Sequence, residues 1–396
     1  MTVAIYLDHG ATSPMSPEVV AAYIDALSAV GNPSSIHSHG QAAKAMLEQA
    51  REAVAQSVGA DPVEVTFTSG GTEAINLALT GGLTATGLTP TKPPRILSTH
   101  AEHHATIDAL ESLEAGGARI GWIPVDSVAR IDLGCLEREL DDATLVSSLW
   151  ANNEVGTIQP VAEIVALASA QSVPVHCDAV AAYGYVPIDF RASGLAAMSI
   201  SAHKIGGPVG IGALVVARSH SVTPLVHGGG QQRFRSGTLD AAGAWAFGVA
   251  ATRTVAALET RAAKLRGLRD RLVGGIRSTI PDAVYRGDPV DRLPANVHFT
   301  FPGCEGDSLL FLLDAAGFSV STGSACQAGV PEASHVLLAM GLPEADARGA
   351  LRFTLGEDTT EAELDALLAT LMHAVPRAQS AGMVAREMWL KSAIVT

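Results

Sequence analysis

Cysteine is scarce. Four occur in 396 residues, at positions 135, 177, 304 and 326. They form no CxxC pair and no zinc-like spacing, which excludes a disulfide framework and a sequence-evident structural metal site. That usage fits a reducing compartment. Cationic charge is also in deficit, with 26 Lys+Arg against 40 Asp+Glu and a net charge of −14. A chain of that balance is poorly suited to holding phosphate backbones, so direct nucleic-acid binding is not expected. Aromatic residues are 5% of the chain, so a core must be built mainly from small aliphatics. The longest helix-like apolar run, Ala241 to Thr252, is closed by Arg253. It falls short of the about 20 residues a bilayer span needs. The N-terminal stretch Met1 to Asp8 has no basic region leading into an apolar run. The expectation is a cytoplasmic protein without membrane contact.

What is present is a hydrophobic content of 47% with 39 glycines and 17% charged residues, a globular composition. Ser16-Pro17-Glu18 opens a helix, with Ser as cap and Pro in the first turn. Gln41 to Val58 is amphipathic and Gly59 stops it. Strand candidates follow at Val63–Thr68, Arg95–Thr99, Ile120–Val125, Thr144–Trp150, Val173–Cys177, Ala197–Ser201 and Ala213–Val216. Several are almost continuously apolar, as strands covered on both faces are. Strands alternating with helical patterns predict an α/β domain around a mostly parallel sheet. Thr84–Pro94 reads as a Thr/Pro/Gly-rich loop. Beyond about residue 260 the pattern changes. Thr260–Ile280 reads as one long helix, followed by strand-like Ala295–Phe301, a helix over Gly306–Ala316, strand-like Phe318–Ser321, a Gly-rich loop and further helices. This predicts a smaller α+β lobe.

Ligands of open parallel sheets bind beyond the carboxyl ends of the strands, so the residues following each strand are the candidates. Ser69-Gly70-Gly71-Thr72 is either a phosphate cradle or a plain strand-to-helix turn. His100-Ala101-Glu102-His103-His104 has poor spacing for a metal set. One histidine there can stack or move protons, or all are loop polar groups. Asn152 and Asn153 turn the chain or hold a ligand oxygen. Asp178 ends an apolar strand and needs a cation, a metal or several donors, or else caps the next helix. Lys204 follows a buried strand, where a desolvated amine can become a nucleophile or Schiff-base partner. A phosphate cradle, a histidine, an aspartate and a lysine after successive strands of one sheet are the parts pyridoxal phosphate requires.

The motifs Tyr6-Leu7-Asp8-His9-Gly10-Ala11-Thr12, Gly31-Asn32-Pro33-Ser34-Ser35, Asn152 to Gly156, Ser201-Ala202-His203-Lys204, Arg235-Ser236-Gly237-Thr238, Ser321 to Cys326 and Leu351 to Gly356 stand in one order. With them the chain resembles the IscS/NifS-type cysteine desulfurases of the class V aminotransferase group, pyridoxal-phosphate enzymes of fold type I. The resemblance implies a large domain over 15–260 with a seven-stranded, mainly parallel sheet flanked by helices. It implies a small domain of 1–14 and 261–396 carrying the Cys326 loop and Arg352. By the same resemblance Lys204 forms the Schiff base and moves the Cα proton, Asp178 pairs with the pyridine nitrogen, and His103 stacks on the ring and transfers protons. Gly71, Thr72, Ser201 and His203 hold the phosphate. Thr238 reaches the phosphate of the partner subunit in a homodimer, and Asn153 sits near cofactor and substrate. Asn32 and Arg352 grip the substrate carboxylate, Arg for its two-pronged fit. Cys326 takes sulfur from L-cysteine as a persulfide, releasing alanine, and passes it to an iron–sulfur scaffold or tRNA-thiolation enzyme. A selenocysteine lyase, another class V lyase or transaminase, and a non-catalytic sulfur-transfer partner are the alternatives. Two departures from the family pattern stand out. Ala181 replaces a glutamine that bonds the ring oxygen, a loss of roughly 1.5–3 kcal/mol unless replaced. The segment between Gln232 and Arg235 is one residue short, which shifts Thr238.

Overall fold

The computed structural model describes residues 4–82, 93–323 and 333–393, with side chains to residue 381. Most of the Thr84–Pro94 loop, and Cys326, lie outside the described residues. The strands in chain order are β1 (Ile5–Tyr6), β2 (Val65–Thr68), β3 (Arg95–Ser98), β4 (Arg119–Trp122), β5 (Leu145–Leu149), β6 (Val175–Asp178), β7 (Ala197–Ser201), β8 (Gly212–Val216), β9 (Val284–Tyr285), β10 (Asn296–Thr300), β11 (Phe318–Ser319) and β12 (Ala350–Thr354).

Seven of them form one sheet in the order β2-β8-β7-β6-β5-β3-β4. Only β8 is reversed, pairing antiparallel with both β2 and β7, while the pairs among β3 to β7 are parallel. The mainly parallel α/β sheet is as expected, with strand ends shifted by one or two residues. β5, β7 and β8 are buried at every position, which explains their unbroken apolar runs. At the outer edge, the Gln232 side chain does what another strand would do. Its Nε2 donates to Phe67 O at 2.8 Å and its Oε1 accepts from Phe67 N at 3.0 Å.

The long helix begins earlier than its basic half predicts. Ala241–Thr279 is one continuous element of 39 residues, capped by the Asp240 carboxylate accepting from Gly243 N at 2.8 Å. Position 260 therefore falls inside it. Its first half packs Ala244, Phe247 and Ala251 into a core with Leu47, Val54 and Val146. Its second half packs Leu265, Leu272 and Ile276 against Val297, Phe299, Leu351 and Phe353. Among the described residues it alone is long and apolar enough to cross a membrane, yet its apolar positions line these two cores.

The second core sits on a small antiparallel sheet, β12-β10-β9. In β10 and β12, Val297, Phe299, Leu351 and Phe353 face this core. The alternate positions include His298 and Arg352, which are register partners. β1 pairs in parallel with β11, and Leu7 is fully buried in the same core. The N-terminal residues are thereby fastened 313 positions away, as the pairing of Ile5 with Phe318 shows.

Candidate active site

The carboxyl ends of β2, β3, β5, β6 and β7 open on a cleft of about 470 Å³. Lys204 follows β7 in a short 3-10 turn, Ala202–Ile205. Its Nζ donates to the carbonyls of Gly10 and, at 3.0 Å, Ala11. Burial, and then the nearby Arg352 guanidinium, lower its pKa from 10.5 to about 8 against the opposing pull of Asp178 and Asp8. A tenth or so of this amine is thus neutral at pH 7.

Asp178 closes β6 and is 3% exposed. Its Oδ1 accepts from Val180 N at 2.9 Å. Burial pushes the carboxyl up to about 6, opposed by that N–H and by Lys204. Beside it Glu102 is 1% exposed, and burial followed by the Asp178 charge raises it well above the carboxylate range. Each buried carboxyl disfavours ionisation of the other, and Glu102 is held further toward its neutral form than Asp178.

Of the three histidines after β3, only His103 lines the cleft. It caps the helix His104–Ala115, its Nδ1 accepting from Ala105 N at 3.0 Å. Burial, then Lys204, lowers its pKa to about 4. The ring is neutral at pH 7, and because Nδ1 accepts, its proton sits on Nε2. His100 instead stacks on Trp122 with centroids 4.0 Å apart, and His104 leans on His335 at 4.5 Å. The described residues contain no group of side chains that could hold a metal ion.

Gly71 and Thr72 open the helix Gly71–Asn76 at the cleft wall. A Cβ on Gly71 would stand 2.8 Å from Val180 Cγ2, so backbone alone fits there. Ser201 and His203 complete that side. Asn153 and Arg352 face them, with Ser321 and Gly323. Arg352 is held from two sides, Nη2 on Asp8 Oδ1 and Nη1 on Asn153 O, each at 2.9 Å.

Two expected residues are not in this cleft. Asn32 is exposed in a turn where its Oδ1 accepts from Ser34 N at 2.9 Å. Thr238 is also exposed. The preceding Arg235 pairs with Glu73 at 2.7 Å, and Glu73 Oε2 accepts from Ser69 N at 2.6 Å, which ties the shortened segment to the Gly71 turn. Cys326 lies outside the described residues. The sequence reading gave no role to Asp8, Glu102 or Glu154. All three stand in segments quoted from the sequence, but the partners that would give them a role, such as Arg352, Leu149 and Ser334, are distant in the chain.

The lining meets a test of fit for pyridoxal phosphate. Ser201 Oγ and Asn153 Oδ1 are buried and have no hydrogen-bond partner among the described residues. Each needs one from a bound group or water. A backbone turn suited to phosphate, a carboxylate able to meet a pyridinium and an amine with lowered pKa stand around the same space.

Comparison with known proteins agrees. The class V aminotransferase family model matches residues 5–367. An IscS-like cysteine desulfurase of Mycobacterium tuberculosis is 49% identical over 387 residues, covering 96% of this chain and 98% of that protein. Cysteine desulfurase NifS of Azotobacter vinelandii is 38% identical over 370 residues, covering 92% and 90%. Among solved structures, a NifS-like protein superposes with a TM-score of 0.88 at 33% identity, over 94% of this chain and 100% of that one. SspA in complex with cysteine superposes with a TM-score of 0.77 at 30% identity, over 89% and 98%. With its cleft residues in place and relatives matching nearly end to end, this chain belongs to the class V aminotransferase family, among the IscS/NifS-type cysteine desulfurases, and its cofactor is pyridoxal phosphate.

Proposed function

We propose that this enzyme converts L-cysteine to L-alanine and loads the released sulfur onto Cys326 as a persulfide. The observation that carries the reading is the meeting of Lys204, Asp178, His103, Ser201 and Arg352 around one cleft. Pyridoxal phosphate, when bound there, supplies an electron sink for the pair left on Cα. Lys204, partly neutral at pH 7, holds the cofactor and moves the Cα proton. Asp178 would be the carboxylate that keeps the pyridine nitrogen protonated. Neutral His103 would stack on the ring and pass protons through Nε2. Gly71, Thr72, Ser201 and His203 hold the phosphate. Arg352, pre-set by Asp8 and Asn153, takes the substrate carboxylate.

In the transfer step, the Cys326 thiolate attacks the substrate sulfur. An S–S bond forms as the Cβ–S bond breaks, and the bonding pair stays with carbon and is protonated. L-cysteine and a thiol thus give L-alanine and a persulfide, with no outside oxidant. Thr238 belongs to this reading through a second copy of the chain, and Asn32 as a further grip on the substrate carboxylate. The reading includes a cytoplasmic homodimer, lobes of 15–260 and of 1–14 with 261–396, and delivery of sulfur to an iron–sulfur scaffold or tRNA-thiolation enzyme.

The test is alanine and sulfide release from L-cysteine under a thiol reductant. Wild-type protein gives one equivalent or more of each. Cys326→Ala keeps its cofactor absorbance and forms no persulfide. Persulfide at the wild-type rate on that variant would refute the assignment.

A further inference from the structure

Glu102 is a buried acid that the reaction does not use, and it stands immediately before His103 in the turn after β3. The ladder between β3 and β5 ends at the pairing of Leu97 with Val146. On its other side β5 runs on to Leu149, the register partner of Asp178. Past the end of β3, the Leu149 N–H is met by the Glu102 side chain, whose Oε1 accepts from it at 3.0 Å. The same oxygen accepts from Thr99 Oγ1 at 3.5 Å. Oε2 has no hydrogen-bond partner among the described residues, so the bridge rests on Oε1.

The main chain of this turn is tied in the same direction. Ala101 O accepts from Asn152 Nδ2, and Glu102 O accepts from His335 Nε2, each at 2.9 Å. Within the turn, Ala101 N donates to Thr99 Oγ1 at 3.2 Å. His103 then leaves it with Nδ1 engaged by Ala105 N at 3.0 Å and its ring at the cleft. Burial and the Asp178 charge hold the Glu102 carboxyl toward its neutral form. An uncharged acid still offers an acceptor oxygen, so the bridge to Leu149 does not need the charge.

We propose that Glu102 is a positioning residue for His103, its carboxyl bridging the end of β5 to the turn after β3 and so fixing where the imidazole stands over the cofactor. The proposal rests on the reading of His103 as the residue that stacks on the ring and moves protons. A reacting group misplaced by about 1 Å can lose on the order of a hundredfold in rate.

The experiment compares holoenzymes carrying Glu102→Ala, Glu102→Gln, His103→Ala and the double alanine change. It reads single-turnover alanine formation from L-cysteine, KM, and the visible circular dichroism of the bound cofactor. Glu102→Ala is expected to slow alanine formation about tenfold or more and to change the dichroic band, with KM within about twofold. Glu102→Gln keeps an acceptor oxygen and stays within about threefold of wild type. The double variant is no slower than His103→Ala within about twofold, because Glu102 acts through that ring. Should Glu102→Ala fail to fold, Glu102→Leu, which fills the space without an acceptor, decides in its place. Wild-type rate and dichroism in the Ala or Leu variant, beside a slowed His103→Ala, overturn the role of Glu102 and leave the function standing. Glu102→Gln as slow as Glu102→Ala also overturns it, because the charge and not the bridge would then matter. An unslowed His103→Ala overturns instead the reading of His103 itself.

Discussion

Arg352 donates from Nη1 to the main-chain oxygen of Asn153 at 2.9 Å, across 199 positions of sequence. It is one of four such ties. The carbonyls of Asn153, Glu154, Val155 and Gly156 accept in turn from Arg352, Asn296, Arg292 and Leu293 N, at 2.8 to 2.9 Å. A tight turn at the end of β5 thus offers its whole row of acceptors to the elements around the small sheet. Asp8 holds the other arm of the same arginine.

Arg352→Lys should lower kcat/KM for L-cysteine by about ten- to a hundredfold, chiefly through KM. Lysine cannot hold Asp8, Asn153 and a carboxylate with one planar fork. Asp8→Asn should show a smaller effect in the same direction, since it frees Arg352 without removing it. Steady-state kinetics measure both, and an unchanged KM in Arg352→Lys would contradict the carboxylate role.

Gly156 adopts φ +84°, and a Cβ there would lie 2.6 Å from Asn296 Oδ1. Gly156→Ala should cost about 1–3 kcal/mol and lower the melting temperature. It should also loosen the Asn296 bond to Glu154. A melting temperature equal to wild type would show that the row of carbonyls tolerates rearrangement.

The Lys204 amine, lowered to about 8 from 10.5, must be neutral to capture an aldehyde. Cofactor uptake by the stripped protein should therefore rise about tenfold per pH unit up to about pH 8 and level off above it. An amine with the ordinary value would keep rising to beyond pH 10. Stopped-flow absorbance across pH 6 to 10 distinguishes the two.

Asp178 is raised from 3.8 to about 6 mainly by burial. The folded cofactor-free protein then binds more protons than the unfolded chain between those values, and stability falls as pH rises through them. Above pH 6 the whole cost is present, roughly 3 kcal/mol. Cofactor-free Asp178→Asn should thus be more stable than wild type at pH 8, with the gap closing toward pH 4. In the loaded enzyme the order should reverse, because the amide cannot keep a pyridinium charged. Paired denaturation curves with and without cofactor check both signs.

Ala181 lines the cleft where it adjoins a smaller void of about 30 Å³ bordered by Asn153, Tyr185 and Asn296. That volume suffices for one water. Ala181→Gln should fill it and add a donor, tightening cofactor binding about tenfold and moving the pH-dependent absorbance band. No change in either would mean that a water already serves as the donor.

Much of this protein was decided locally. The apolar runs of β5, β7 and β8 and the polar residues after them follow from burial on both sheet faces and from ligands gathering at the carboxyl ends. Lys204 and Asp178 could be picked out for that reason, the Gly71 turn stayed open between a cradle and a plain turn, and the motif order supplied the family and with it His103. Other features depended on distant partners. The reversal of β8, the single helix running from Ala241 to Thr279 and the fastening of Ile5 beside Phe318 are choices between packings that local propensity leaves equal. Asp8 and Glu154 stand in motifs that a linear reading quotes, yet nothing in the sequence gives either a partner. They became Arg352's clamp and the support of Ser334 only because folding brought residues 344 and 180 positions away within hydrogen-bond reach. Hydrogen bonds act over a few ångströms, so their partners are settled by tertiary packing, whereas periodicity and capping act within a turn or two of chain.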